Sequence, residues 1–249
     1  MFQSRVKTLP IFADSTPEQA ALIVRNCRII NCNSGNFLFR HGDKVTHFYV
    51  IYRGAMQIFR ETPDGYEATS TILISGDSIN PDELAAYQTE HAMNARAVED
   101  CSLLVISISW MRENFHKLGN MASKLLVVLA DRLGDAQIEI EHQSTMSAAQ
   151  IMGCYLQKLC VQYNFDPLGF ELPYTKQLIA SRLWIERETL SRSLQTLKDH
   201  GITVTGSHVA INDTRKARSF VCERCSVASR CATYRELNQD RKQISVHGT

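Results

Sequence analysis

The hydrophobic positions between residues 27 and 108 fall into short runs that favour β-strands. The runs are separated at near-regular intervals by turns that contain glycine, of which Pro63-Asp64-Gly65 is the strongest. Proline presets one dihedral angle of such a turn, and glycine accepts a positive φ. Many short strands separated in this way predict a β-sandwich or barrel. The predicted strands cover residues 37–39, 48–51, 55–59, 69–74 and 102–108.

The period of the apolar positions becomes helical after residue 109. Apolar residues three or four positions apart draw one stripe along about six helical turns. A helix this long must bury its stripe, either against its own domain or in a seam between the two subunits of a dimer. The stripe consists of Leu118, Ala122, Leu125, Leu129, Leu133, Ala136 and Ile140.

The chain from residue 147 to residue 211 predicts three further helices and a small β element. The first helix is broken by Asp166-Pro167-Leu168-Gly169. Two short helices joined by a tight turn then follow, which is the layout of a helix-turn-helix. In chain order, the predicted parts are a helix over 147–163, a helix opened by residues 173–177 and reaching Leu183, a turn at Trp184-Ile185, a helix over 186–200, and a two-stranded wing over 202–204 and 208–211.

Charge is unevenly distributed along the chain, although the formal net charge is only +1. Residues 1–170 contain 14 Lys and Arg against 18 Asp and Glu, whereas residues 171–249 contain 13 against 8. A basic C-terminal part indicates that a polyanionic partner would bind there.

Several classes of protein are disfavoured by the sequence. The longest apolar run, Leu125 to Ala130, is far shorter than the roughly 20 residues of a membrane helix, and the N-terminus has no signal-peptide apolar core. We therefore expect a cytoplasmic protein without membrane contact. No P-loop, nucleophile–base spacing or paired-carboxylate motif is present, which argues against an enzyme.

The eight cysteines form one cluster and one scattered group. Cys222, Cys225 and Cys231 have the spacing C-x2-C-x5-C. In a cytoplasmic chain, clustered cysteines favour a metal over a disulfide. Thiolates this close on one loop can bind a soft metal or an iron–sulfur cluster. The other five are most simply small buried apolar residues; they are Cys27, Cys32, Cys101, Cys154 and Cys160.

Three stretches together resemble the CRP/FNR family of bacterial transcription regulators. Residues 38–43 followed by 48–54 match the β-roll signature, residues 178–192 match the helix-turn-helix, and the stripe over 118–140 occupies the position of the dimerisation helix. The resemblance covers essentially the whole chain. It implies a homodimer that binds a palindromic operator in double-stranded DNA and contacts RNA polymerase.

The fold implied by this resemblance is of the α+β class. It combines an N-terminal cyclic-nucleotide-binding-like β-roll, a long dimerisation helix and a C-terminal winged helix-turn-helix. The expected domains are the β-roll sensor at 1–115, the dimerisation helix at 116–143, the DNA-binding domain at 144–215 and a cysteine-containing extension at 216–249.

The resemblance makes residues 186–200 the recognition helix. Its groove-facing residues are then Arg187, Glu188, Ser191 and Arg192 in the first turn and a half, and its buried face is Leu190, Leu194 and Leu197. Arginine can bond guanine bidentately and glutamate can accept from cytosine N4. Family members read bases at the positions of Arg187, Glu188 and Arg192, which implies an inverted repeat with half-sites between the TTGA and TGTGA types. A surface ion pair between Glu188 and Arg192 is the alternative interpretation.

Further residues are expected to contact phosphates rather than bases. They are Thr175, Lys176, Ser193, Lys198 and the wing residues Ser207 and His208.

The β-roll departs from the family's cyclic AMP binders. Those proteins place Phe-Gly-Glu after a Gly-Asp turn and Arg-Ser about ten residues further. In this chain Gly76-Asp77 is followed by Ser78-Ile79-Asn80-Pro81-Asp82-Glu83, and the phosphate would face His91-Ala92. The arginine and the Gly-Glu pair are both missing, so cyclic AMP is not expected to bind. A haem-based gas sensor is an alternative, with His41, His47, His91 and His116 as candidate axial ligands.

The position of the cysteine cluster after the wing is similar to that in Bacillus-type FNR. The resemblance implies an iron–sulfur cluster, of the 4Fe–4S type, whose loss to oxygen or nitric oxide changes DNA affinity. That subfamily uses an aspartate near the end of the dimerisation helix as fourth ligand; here His142 holds this position, and Glu141 and Asp135 are alternatives. His142 could instead belong to a solvated stripe with Asp131, Asp135 and Glu139. Structural zinc or a thiol switch at Cys222, Cys225 and Cys231 are the competing interpretations.

Overall fold

The computed structural model describes residues 6–233 and residue 235. They form two compact units that meet between Gly134 and Asp135. This division lies inside the long helix, so the predicted limits at residues 115, 143 and 215 stay predictions. Within the described residues, no helix is long and apolar enough to cross a membrane.

Two four-stranded antiparallel sheets make up most of the first unit. Their strand orders are β1-β8-β3-β6 and β2-β7-β4-β5. The five predicted runs all lie in these strands, except that Ile108 begins a helix. The strands are β1 (Cys27–Cys32), β2 (Phe37–Phe39), β3 (His47–Arg53), β4 (Ala55–Glu61), β5 (Glu67–Ile74), β6 (Ser78–Ile79), β7 (Asn94–Ala97) and β8 (Cys101–Ser107).

The turn between β3 and β4 requires glycine. Gly54 has a φ of +98°, and a Cβ there would lie 2.6 Å from Cys101 Sγ and 2.8 Å from the Asp100 carbonyl oxygen. Only a residue without Cβ fits both the left-handed backbone and the close approach of the neighbouring strand. This turn closes the first unit around a core that includes Ile51, Met56 and Leu103.

The helices of the first unit are α1 (Pro17–Arg25), α2 (Pro81–Ala85), α3 (Ile108–Asn114) and the start of α4 (Met121–Thr145). The predicted stripe began too early, because Leu118 follows a 3₁₀ turn at Phe115–Lys117 and precedes α4. Leu118 and Leu125 are 2% and 4% exposed and belong to the first unit's core. For this end of the stripe, packing against its own domain is confirmed.

Four more helices and a small sheet form the second unit, together with the end of α4. They are α5 (Ala148–Gln162), β9 (Phe170–Glu171), α6 (Lys176–Leu183), α7 (Arg187–Asp199), β10 (Ile202–Thr205), β11 (His208–Ile211) and α8 (Thr214–Val221).

The second unit confirms the helix-turn-helix and corrects two details. Thr175 caps α6 by accepting the Leu178 amide, so this helix begins at Lys176 and not at Pro173. Trp184 ends α6 in a left-handed conformation and so forms the tight turn. The predicted two-stranded wing is a three-stranded sheet, because β9 pairs antiparallel with β11. The predicted α+β architecture, with a β-rich N-terminal unit, a long helix and a C-terminal helix-turn-helix, is confirmed.

Candidate functional site

The N-terminal half of α7 presents a polar surface. Arg187, Glu188, Ser191 and Arg192 are all exposed. The opposite face of α7 packs inside the second unit. All four side chains predicted to read bases therefore lie on the solvent side of one helix, within about two turns.

One predicted phosphate contact on this helix is corrected by the structure. Ser193 is only 4% exposed and donates its hydroxyl to the Thr189 carbonyl at 2.8 Å. Leu194, predicted to be buried, is only partly so. Ser193 is buried, and its hydroxyl is already bonded to its own helix. It is therefore not available to a phosphate.

Glu188 and Arg192 form no ion pair among the described residues. Arg192 makes a long contact of 3.4 Å with the Thr189 hydroxyl. The surface-pair interpretation of these two residues therefore finds no support in the geometry, and both charged groups are directed to solvent.

The remaining predicted phosphate contacts are spread over the second unit. Thr175 is exposed at the start of α6, and Lys176 is partly buried. Lys198 is exposed near the end of α7, about 16 Å along the helix axis from Arg187. In the wing, Ser207 and His208 are exposed, but each bonds to the carboxylate of Glu171. These hydrogen bonds lower the pKa of Glu171, so its carboxylate is ionised next to the wing residues.

The predicted fourth ligand lies against residues 222–231, which we call the cysteine segment. His142, near the end of α4, is 7% exposed, and its Nε2 is 3.4 Å from Cys225 Sγ. Burial, followed by the charge of Lys158, lowers the pKa of His142, although Glu141 and Glu139 oppose the shift. The imidazole is therefore neutral at neutral pH and keeps the lone pair that a metal ligand needs. Burial also excludes the interpretation of His142 as part of a solvated stripe.

Two contacts hold the cysteine segment in place. The Glu141 carboxylate accepts the Ser226 amide at 2.9 Å and the Ser226 hydroxyl at 2.6 Å. The Gln150 side-chain amide donates to the Phe220 carbonyl at 2.9 Å. The segment between α8 and residue 231 is thus anchored to both α4 and α5.

The three clustered cysteines are partly buried, and none is in a disulfide. Burial raises the pKa of Cys222 to about 11, with the nearby Cys225 and Cys231 adding to the shift. Burial also raises the pKa of Cys225. Within the described residues, no group of three or more His, Cys, Asp or Glu side chains is close enough to hold a metal. Metal binding must therefore draw the donors together and displace protons from the thiols.

The packing of α5 on α8 depends on Gly153. A Cβ there would lie 2.6 Å from Val221 Cγ2 and 2.9 Å from Leu197 Cδ2. We expect Gly153→Ala to lower the free energy of unfolding of the second unit by about 1–3 kcal/mol, measured by chemical denaturation.

Gly134 provides the matched control for this substitution. It also lies in a helix, but a Cβ there would meet nothing within 4 Å. We expect Gly134→Ala to leave stability unchanged or to raise it by up to about 1 kcal/mol. Equal stabilities of the two variants would contradict the close contact between α5 and α8.

The region of the β-roll that a cyclic nucleotide phosphate would face contains a buried pair of a histidine and a glutamate. His91 and Glu83 are 2% and 3% exposed, and His91 Nδ1 is 2.7 Å from Glu83 Oε2. The other Glu83 oxygen accepts from Asn80 at 3.0 Å, and the His91 ring stacks on Phe39. These groups satisfy one another inside the first unit. The expectation that cyclic AMP does not bind stays a prediction.

The haem candidates lie on separate elements of the first unit. His41 and His116 are exposed, His47 is partly buried in β3, and His91 is engaged by Glu83. Nothing in these positions distinguishes one of them as an axial ligand.

A further cysteine, outside the predicted cluster, lies next to the candidate site. Cys154 on α5 is partly exposed and lines an open cleft together with His142, Lys158, Arg182 and Trp184. Arg182 on this cleft is paired with Glu139, at 3.1 Å for one of its two contacts. No spacing signal links Cys154 to the cluster about 70 residues later, so only the fold brings it into view.

Comparisons with known proteins match both parts of the chain. Residues 29–117 match the cyclic nucleotide-binding domain, and residues 154–217 match the Crp-like helix-turn-helix domain. The chain is 28% identical over 205 residues to the cyclic AMP receptor protein of Thermus thermophilus, covering 81% of this chain and 91% of that one.

Two further similarities concern a regulator and a solved structure. The anaerobic regulatory protein of Aggregatibacter actinomycetemcomitans is 24% identical over 180 residues, which is 71% of this chain and 69% of the relative. The structure of CLP, the c-di-GMP responsive global regulator of Xanthomonas campestris, superposes with a TM-score of 0.70 at 19% identity, covering 80% of this chain and all of that one. At this identity the superposition shows the fold alone.

Proposed function

We propose that this chain is a DNA-binding transcription regulator of the CRP/FNR type, which binds an inverted-repeat operator as a homodimer under the control of an iron–sulfur cluster. The cluster is held by Cys222, Cys225 and Cys231, with His142 at the fourth position. The observation that carries this proposal is the contact between His142 and Cys225, which joins the end of α4 to the cysteine segment.

The donor set suits such a group. Three thiols and a neutral imidazole are ligands that iron–sulfur centres accept, and the cluster would supply sensitivity to oxygen or nitric oxide. The name of the anaerobic regulator among the relatives agrees with a signal of this kind. When the donors are drawn together, the tail and the end of α4 become one ordered unit, which is the change we propose to alter DNA binding.

The proposed homodimer rests on exposed apolar positions of α4, where Leu126 joins the C-terminal half of the apolar stripe. Leu126, Leu133 and Ile140 are 68%, 62% and 66% exposed and lie seven residues apart on α4. With Leu129 and Ala136 they repeat at intervals of three and four, which is the a/d pattern of a two-helix coiled coil. A second copy of the same helix is the occupant that this seam fits.

A charge in the seam is expected to dissociate the dimer. Leu133→Glu would place two carboxylates opposite each other, and we expect the dissociation constant of the dimer to rise at least about tenfold, measured by analytical ultracentrifugation. Val127→Glu is the matched control, because Val127 is 58% exposed but lies outside the a/d positions. Equal dissociation of both variants would refute the seam.

For DNA binding, we propose Arg187, Glu188, Ser191 and Arg192 as base contacts. The proposed phosphate contacts are Thr175, Lys176, Lys198 and the wing residues Ser207 and His208. Ser193 is not among them because it is buried. The protein would act in the cytoplasm, where its DNA target lies, with RNA polymerase as a further partner.

The test of the proposed function is to purify the full chain without oxygen. We expect iron and acid-labile sulfide, a visible absorption band that oxygen bleaches, and operator affinity that changes on bleaching. The donor set also suits zinc. The structural-zinc alternative would be favoured if the protein contained zinc without sulfide and bound DNA equally with and without oxygen. A thiol switch would be favoured if DNA binding depended on oxygen in the absence of any metal. A Soret band would favour haem.

A further inference from the structure

We infer that Cys154 belongs to the same site as the tail cysteines and is an alternative ligand to His142, so that the site has four sulfur donors and one nitrogen donor. This inference rests on the proposed metal site. It goes beyond that proposal in naming a second ligand for the fourth position, on α5 and not on α4.

The first argument is the position of Cys154 beside His142. Both side chains line one cleft of the second unit. His142 already contacts Cys225 through Nε2 at 3.4 Å. His142 therefore contacts the tail thiol and shares a cleft with the thiol on α5.

The second argument is the face of α5 on which Cys154 lies. Residues 150, 153, 154 and 157 follow the i, i+3, i+4, i+7 spacing of one helix face. Gln150 bonds to the Phe220 carbonyl, and Gly153 packs on Val221, the residue before Cys222. This face of α5 is thus packed against the last turn of α8, which leads directly into the cluster cysteines.

The third argument is an unused donor on the same face. Gln157 is only 4% exposed, and its Nε2 has no hydrogen-bond partner in the part of the chain that the structure describes. A buried amide N–H without a partner costs about 1–3 kcal/mol. Thiolate and sulfide ligands accept hydrogen bonds from such groups, which tune metal sites from outside the ligand shell.

The electrostatics agree with this placement. The pKa of the Cys154 thiol is raised to about 12, mainly by burial; the charge of Lys158 lowers it, and Cys222, Cys231 and Cys225 raise it. Negative charge on the tail thiolates would therefore disfavour the thiolate of Cys154. A bound cation would offset their mutual repulsion, and Lys158 already offsets part of it.

The inference is tested with Co²⁺, which reports its ligands in its absorption spectrum. Reduced, metal-free full-length protein is titrated as wild type, His142→Ala, Cys154→Ser and the double variant. We expect each single variant to bind within about tenfold of wild type and the double variant at least about 100-fold more weakly. His142→Ala should show a stronger thiolate-to-cobalt charge-transfer band than wild type, because a fourth sulfur replaces nitrogen.

Two controls separate ligation from damage to the fold. Cys160→Ser changes another cysteine of α5, whose thiol bonds to the Phe165 carbonyl at 3.3 Å, and should leave the Co²⁺ spectrum and affinity unchanged. In a Trp110→Phe background, emission comes from Trp184 alone, which lines the same cleft. Quenching of Trp184 by Co²⁺ should persist in His142→Ala and disappear in the double variant.

The outcomes distinguish the two proposals. If wild type gives no thiolate-to-cobalt band, the proposed metal site fails and this inference fails with it. If wild type binds Co²⁺ but His142→Ala and the double variant have the same spectrum and affinity, the metal site stands and the role of Cys154 is refuted.

Discussion

Replacing Cys225 by alanine is expected to remove the iron and sulfide of anaerobically purified protein and to abolish the response of DNA binding to oxygen. Cys225 is the tail thiol that contacts His142, so its loss removes a proposed ligand and one of the contacts between the tail and α4. Metal and sulfide analysis gives the first readout, and operator binding before and after exposure to air gives the second. The expected loss is large, because Cys225 is one of the three thiols of the cysteine segment and the one in contact with His142.

Cys160→Ala is the control for this substitution. It removes a buried cysteine from the same unit without touching the cysteine segment, and it should retain cluster and response. An undiminished oxygen response in Cys225→Ala would contradict the proposed function, whatever the metal content.

Arg192→Ala is expected to weaken operator binding by about 1–3 kcal/mol per half-site, or roughly 5- to 150-fold. Arg192 is exposed on the solvent face of α7 and forms no ion pair within the described residues, so its guanidinium is available to a guanine edge. Since a homodimer loses the contact twice, the total loss is about 2–6 kcal/mol. Binding-site selection should also show relaxed preference at one position of each half-site.

Two variants on the same helix serve as comparisons. Ser193→Ala alters the buried face of α7 and should leave the selected sequence unchanged. Lys198→Ala should weaken binding to all sequences alike and reduce its salt dependence, if Lys198 contacts a phosphate. A selection that returned no symmetric motif for wild type would refute the inverted-repeat operator.

Strong periodicity made most of the fold predictable. The helices over 147–163 and 186–200 agree with the structure to within one residue at each end, because both have a regular apolar face and the first is also capped by Ser147. β1 is not among the predicted strands. The same is true of β6 and β7. They are short strands with few apolar residues, and their pairing with distant strands decides their structure.

The apolar stripe shows where a pattern reaches its limit. Its spacing is the same on both sides of residue 129, yet Leu125 is buried in the first unit and Leu133 is exposed. Periodicity identifies the apolar face of a helix but not what packs against that face. The spacing alone therefore does not distinguish packing within its own domain from a seam between subunits. The β9 strand was missed for a similar reason, since two residues carry no period.

The candidate site was predictable as far as short-range spacing allows. C-x2-C-x5-C identifies three thiols in ten residues, and the family resemblance pointed to His142. Cys154 could not be identified in this way, because it is 68 residues from Cys222 along the chain and the packing of α5 brings it to the cleft. For Ser193 the polar residue type suggested an exposed phosphate contact, although the position is buried.

The anchoring of the cysteine segment would determine what happens after the proposed cluster is lost. Glu141 holds Ser226, which lies between Cys225 and Cys231, and Gln150 holds the chain just before Cys222. The thiols therefore stay close to one another without metal, at an effective local concentration on the order of millimolar. Reassembly, with iron and sulfide supplied from outside the protein, would then have little loop-closure entropy to overcome. A sensor held in this way can be reset in place, without synthesis of a new chain.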